Sequence, residues 1–174
     1  MRRVLDGLYK VSGGIAAALI AGICLLISAQ IVLNLIARIM GPGWSFTIPS
    51  YADFAGFMLA NASFLALAHT LRMGGHIRVT LIAQRLRGRI ALMAEVACLG
   101  LAIAIAGFAG WYLIALVAES LKYGDTSPGI VAIPLWVPQT GVAVGMGILI
   151  IALVDTLVET LHRGGPVLPD SAEG

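Results

Sequence analysis

The chain has 174 residues, of which 59% are hydrophobic and 11% charged, with a mean hydropathy of +0.96. That charged share is about half of what a soluble domain carries, which excludes a water-soluble globule with a charged skin around one apolar core. A formal net charge of +2 is too small to mark a nucleic-acid surface, and Cys24 and Cys98 both lie in apolar runs, where a free thiol acts as a small hydrophobe rather than as disulfide, metal or redox chemistry.

Uncharged runs recur along the chain with charges confined to the gaps. The first run, 11–37, would be about 40 Å long as a helix at roughly 1.5 Å per residue, enough to cross a bilayer with tilt. Met1-Arg2-Arg3 before an apolar stretch is a signal-peptide pattern, but the run is too long for an h-region and no A-x-A-like site follows, so a retained signal anchor is expected. Gly41-Pro42-Gly43 and Pro49 punctuate the approach to a second span, whose uncharged part lies between Asp53 and Arg72. The third begins after Glu95 and ends at Glu119 and Lys122. Pro128, Pro134 and Pro138 assign the next stretch to a loop before a fourth helix. The expected class is therefore all-α and integral to the membrane, a single domain over 1–174 with spans near 11–37, 52–73, 93–120 and 137–160. The tail 164–174, rich in Gly, Pro and acidic residues, is expected to be flexible.

Orientation follows from the loops. Arg2, Arg3, Lys10, Arg72, Arg78, Arg85, Arg87, Arg89 and Arg163 fall on one side, and only Arg38 and Lys122 on the other, so nine of the 11 Lys and Arg place both termini in the cytoplasm by the positive-inside rule. Trp44, Tyr51, Tyr123 and Trp136 gather at the outer boundary, where aromatic anchors sit. Between the second and third spans, Ile77, Leu81, Ile82 and Leu86 share one helical face while Arg78, Arg85 and Arg89 share another. This predicts an amphipathic helix over roughly 77–89 lying on the cytoplasmic surface, its arginines meeting anionic headgroups.

Little in the chain points to catalysis. His69, His76 and His162 all lie near the inner boundary, where they do not make a transmembrane haem pair, and no phosphate loop, metal-spaced cluster or Ser/His/Asp set stands out. No cofactor or metal is expected. A carboxylate deep in a span would be a functional candidate, but Asp53 and Glu119 lie at outer ends, and Glu95, Asp155 and Glu159 at inner ends, where simple boundary charges are the expected reading. Gln30, Asn34 and Arg38 are spaced four apart on the outer half of the first helix, so they share a face that should turn toward protein rather than lipid. Arg38 and Asp53, both at the outer boundary, are candidates to pair. Small residues at packing distance (Gly14, Ala18, Gly22; Ala52, Gly56, Ala60; Gly100, Ala104, Gly107; Gly141, Gly145) predict close helix contact, within the chain or with another membrane protein.

Three stretches taken in order carry a resemblance: Tyr51-Ala52-Asp53-Phe54, then Leu71-Arg72-Met73-Gly74-Gly75-His76-Ile77-Arg78-Val79, then Ser127-Pro128-Gly129-Ile130 through Ile133-Pro134-Leu135-Trp136-Val137-Pro138. Together they resemble the small, DctQ-like membrane subunit of the tripartite ATP-independent periplasmic (TRAP) transporters. The resemblance implies a division of labour in the bacterial or archaeal inner membrane. A periplasmic binding protein captures an organic anion such as a carboxylate or sugar acid, a large multi-span subunit carries it with sodium, and the small subunit braces the large one without catalysing anything. Sodium then belongs to the partner. Gln30, Asn34, Arg38, Asp53, Arg72, His76, Arg78 and Trp136 become candidates for the partner interface or for internal structure, and Arg78, Arg85 and Arg89 for lipid headgroups. Residues from Lys122 to Pro134 become a candidate contact for the binding protein. The competing class is an independent four-helix membrane protein, either a homo-oligomeric small transporter or a scaffold for an unrelated complex. Replacing His76 and Arg78 together by Ala is expected to lower complex yield or uptake while substrate capture by the soluble protein is unchanged; normal yield with normal uptake would remove these residues from the interface.

Overall fold

A backbone surrounded by hydrocarbon has no water to bond with, so each apolar run satisfies its own amides and carbonyls as a helix. The computed structural model describes residues 2–73 and 89–163. They form α1 (Arg2–Met40), α2 (Tyr51–Arg72), α3 (Arg89–Tyr123) and α4 (Trp136–Arg163), with a single 3-10 turn at Pro42–Trp44. All four helices are long and apolar enough to cross a membrane. The all-α, four-span architecture read from the sequence is the one observed. The amphipathic helix expected over 77–89, with His76, Arg78 and Arg85, lies outside the described residues apart from Arg89, the first residue of α3, and the tail from residue 164 lies outside them as well.

The helices are longer than the apolar runs that announced them. At 39 residues, α1 is about 58 Å long, nearly twice the roughly 30 Å hydrocarbon core. Its surplus lies at the N-terminal end, which starts at Arg2 rather than near residue 11. Hydropathy marks where lipid ends, not where the helix ends. Through 2–10 the only weak helix former is Gly7, and Arg2 and Tyr9 find partners on α4. At their other ends α1 and α3 stop on glycines in the left-handed region, Gly41 (φ 91) and Gly124 (φ 68). The Gly41 amide donates to the Ala37 carbonyl, and the Gly124 and Asp125 amides both donate to Ser120, closing carbonyls that would otherwise be orphaned.

The packing order is α1, α2, α4, α3, with α1 also reaching α4 near the termini. Because α4 has a helix on either side, its most apolar stretch is 33% buried against 11% for α1 and α3, which makes α4 the centre and the other two the flanks. Its buried positions accordingly form two stripes, with Met146, Ala152, Leu153, Thr156, Glu159 and Thr160 all shielded. On α3 one seam is enough: Leu99, Ala106, the partly buried Leu113 and Ser120 are each seven residues apart, a coiled-coil spacing that keeps one edge on α4. The core joins Tyr9, Ala68, Leu71, Leu99, Ala106, Met146, Ala152 and Leu153, with a smaller cluster of Ala16, Ala62 and Leu65 between α1 and α2.

Small residues set how closely α2 and α4 approach. A β-carbon at Gly145 would stand 2.7 Å from the Phe64 carbonyl carbon and 2.9 Å from the Leu65 amide nitrogen, both backbone atoms with no freedom to yield. By contrast, Gly14, Gly56, Gly100 and Gly107 have nothing within 4 Å of such an atom, so those members of the small-residue pattern do not serve packing within the described chain. Gly145→Ala should therefore destabilise the protein by about 1–3 kcal/mol through overpacking, whereas Gly100→Ala should be neutral or slightly stabilising through helix propensity. Thermal unfolding of the two purified variants in one detergent checks the contrast; equal Tm values would mean that the α2–α4 approach is looser than this.

Candidate functional site

At the end of the molecule where α1 begins and α4 ends, the helices bring charges together inside the protein. Asp155 and Glu159 are four residues apart on α4 and hence on one face. Between them and α2 lies Arg72, whose Nη1 is 3.6 Å from Asp155 Oδ2 and 3.3 Å from Glu159 Oε2, and which also donates to the Thr156 hydroxyl at 3.3 Å. From α1, Arg2 donates to Glu159 at 2.7 Å, and the buried Tyr9 hydroxyl donates to Asp155 at 3.5 Å. One turn further along α1, the Ser12 hydroxyl donates to the Leu65 carbonyl of α2. Arg72 is 15% exposed and Glu159 7%, against 52% for Arg2, so the α2–α4 pair is shielded while the α1 contribution faces water. Two guanidinium groups meet two carboxylates. This balance matters because an unmatched charge at this depth would have to be drawn out of a low-dielectric setting. The expectation that Asp155 and Glu159 are simple boundary charges is corrected: they are the α4 half of a lock joining three helices.

The opposite end is held by hydrogen bonds to loops. Gln30, 3% exposed, donates from Nε2 to Asn34 Oδ1 at 2.9 Å and accepts the Ile48 amide on Oε1 at 2.8 Å, so it fastens the 41–50 loop back along α1. The segment 125–135 is not a plain loop but a small hairpin. Ser127 donates its amide to the Ile133 carbonyl at 2.8 Å, its hydroxyl accepts the Ile133 amide at 3.1 Å, and the Leu135 amide donates to Asp125 at 2.9 Å. Ser50 ties this hairpin to α2: it adopts φ 55, unusual for a residue with a side chain, and its hydroxyl accepts the Val131 amide at 2.9 Å. Gly129 lies directly on the Asp53 carboxylate, where a β-carbon would collide with it. Ile130, at the hairpin tip, is 88% exposed.

The candidates read from the sequence separate accordingly. Arg72 is in the three-helix lock. Gln30 is buried within its own chain, while Asn34 and Arg38 on the same stripe remain exposed. The suggested Arg38–Asp53 pair does not form: neither side chain has an ion pair within 4.0 Å among the described residues, because Asp53 turns under the hairpin at Gly129. Trp136 opens α4 at the hairpin end, level with Trp44, Tyr51 and Tyr123, which begin or end the neighbouring elements. Sequence reasoning overlooked Asn61, which donates to the Phe57 carbonyl at 2.8 Å and to the Pro138 carbonyl of α4 at 3.1 Å and packs on Gly141. It also overlooked Tyr9, Ser12 and Thr156. The signal was available, since an amide or hydroxyl within an apolar span needs a partner, but it does not say which helix supplies one. Among the described residues, no three His, Cys, Asp or Glu side chains are placed to hold a metal ion.

Four membrane-length helices fixed by an ionic lock at one end and by tethered loops at the other define a multi-pass membrane protein in which the polar groups bind helix to helix. A family model described as "Tripartite ATP-independent periplasmic transporters, DctQ component" matches residues 23–163, and the chain belongs to that family. No curated protein matches it. Arg72→Ala is expected to leave Asp155 and Glu159 without their shielded cation and to lower stability by about 3–5 kcal/mol, while Arg2→Ala, removing a water-facing partner, should cost no more than about 1 kcal/mol. Thermal unfolding in detergent orders the two, and an equal or reversed order would show that the α1 pair carries the lock.

Proposed function

We propose that this chain is the small, non-catalytic subunit of a TRAP transporter in the inner membrane and that it braces a large multi-span subunit, which carries an organic anion together with sodium. The observation that carries the reading is that most polar groups of the spans are engaged, the buried Gln139 Oε1 and Thr160 Oγ1 being exceptions. Arg2 and Arg72 neutralise Asp155 and Glu159, Ser12 and Asn61 bond to neighbouring helices, and Ser63 and Thr156 bond to their own helix backbone at 2.8 Å. Groups bound in this way stiffen a frame, whereas a carrier must offer its polar atoms to the solute. A moving transport domain needs a fixed body to move against, and a stiff four-helix frame supplies one.

In this arrangement the basic end faces the cytoplasm, following the Lys and Arg distribution, and the hairpin end faces the periplasm, where the exposed tip around Ile130 is presented to the substrate-binding protein. The outward small-residue positions Gly56, Gly100 and Gly107 have room for the backbone of a partner helix. Substrate selection then resides in the other two components. A chain tagged at its C-terminus and purified gently from its native membrane should bring with it one large multi-span membrane protein at equal stoichiometry, identified by mass spectrometry. Recovery of the chain alone, together with solute transport by that preparation in liposomes, would replace the brace by an autonomous carrier.

A further inference from the structure

The α3–α4 pair carries a hollow that the internal packing does not use. Near the hairpin end the two helices diverge around a groove of about 390 Å³ whose lining includes Ile114, Ala118 and Leu121 of α3 and Thr140, Ala143 and Val144 of α4. Its size falls within the range of small-molecule pockets, roughly 300–1,000 Å³. The hollow exists because Ala118 and Ala143 stand where larger side chains would close the gap. Ile114, Leu121 and Val144 on its rim are 64%, 56% and 50% exposed, so it opens sideways, toward whatever surrounds the helices.

Three features identify the occupant. First, the groove offers water little: its one side-chain hydroxyl, on Thr140, already donates to the Trp136 carbonyl at 2.6 Å and can only accept, whereas a bound water needs two to four polar partners. Second, it lies in the last turns of α3 and the first turns of α4, near one end of both membrane-length helices. Third, its upper mouth carries a cation and an indole. Lys122 is four residues beyond Ala118 and Trp136 four before Thr140, so each stands one turn above the groove on the same helical face. Lys122 is exposed, with Nζ 5.2 Å from the Tyr123 ring centroid, and Trp136 is 39% exposed. An apolar slot below and a cation with aromatic rings at the interface match the two halves of a glycerophospholipid.

We propose that this groove is a phospholipid site, in which one acyl chain fills the hollow between α3 and α4 and the phosphodiester meets Lys122. The lipid would complete the wall between these helices, which the chain's own small side chains leave open. The test uses the full-length protein in detergent, with phosphatidylglycerol and separately phosphatidylethanolamine titrated in and bound lipid counted by native mass spectrometry. One saturable adduct is expected with each, since the phosphodiester is common to both. Filling the slot with Ala118→Phe or Ala143→Phe should remove that adduct. Lys122→Gln, a surface change that leaves the fold intact, should weaken phosphatidylglycerol by about fivefold, the contribution of one lysine near an anionic surface. Ile105→Phe, at an exposed α3 position outside the groove, should change nothing. Undiminished binding in Ala143→Phe and Lys122→Gln would overturn the proposal, as would an Ala118→Cys variant that crosslinks in native membranes to a partner protein's helix and not to lipid.

Discussion

Within hydrocarbon, burying an apolar side chain against another helix gains little over burying it in lipid, so association depends on close packing and on polar groups that must find partners. That constraint governs this molecule. Its most shielded charged group, Glu159 at 7% exposure, is matched by Arg72 of α2 and reached by Arg2 of α1, so three of the four helices are fixed to one another by one set of charges. The apolar core supports this arrangement without specifying it. Ala68, Leu71 and Leu153 pack around the lock but would be nearly as well placed facing lipid, whereas Tyr9 is held there by its hydroxyl bond to Asp155.

The two ends are held by different chemistry. At the basic end, charges join helices directly, an interaction that weakens wherever water penetrates, and the exposed Arg2 is its weaker arm. At the hairpin end the bonds run from side chains to loop backbone, through Gln30 to Ile48 and through Ser50 to Val131. Those bonds orient short connections and so fix where the helices emerge. Asn61 holds the middle of α2 to the start of α4 through the Pro138 carbonyl. The tight approach at Gly145 completes the α2–α4 contact, which makes this pair the rigid axis of the fold.

The flanks are the adaptable part. With only 11% of their most apolar stretches buried, α1 and α3 present most of their surface outward, as expected of a component of a larger membrane assembly. On α3 the inward seam repeats every seven residues, and the remaining positions hold exposed large residues such as Phe108, Trp111 and Tyr112. The molecule combines a closely packed centre with wide apolar sides that lipid or a partner subunit can cover.

By itself the sequence determined the class, the number of spans and the family resemblance, because hydrocarbon imposes a length and an apolar composition on each segment that can be read one segment at a time. It also placed Arg72, Asp155 and Glu159 near one boundary and Gln30 within an apolar run. Which of these meet is a property of helix order and rotation. Those are decided jointly by all four segments, and hydropathy, nearly uniform around α2 and α3, carries little information about them. Arg38 and Asp53 looked like partners because they share a depth, yet depth is one coordinate of three, and the hairpin takes Asp53 elsewhere. The tertiary structure alone decided that Glu159 reaches two helices, that Asn61 bonds across to Pro138, and that a groove remains between α3 and α4.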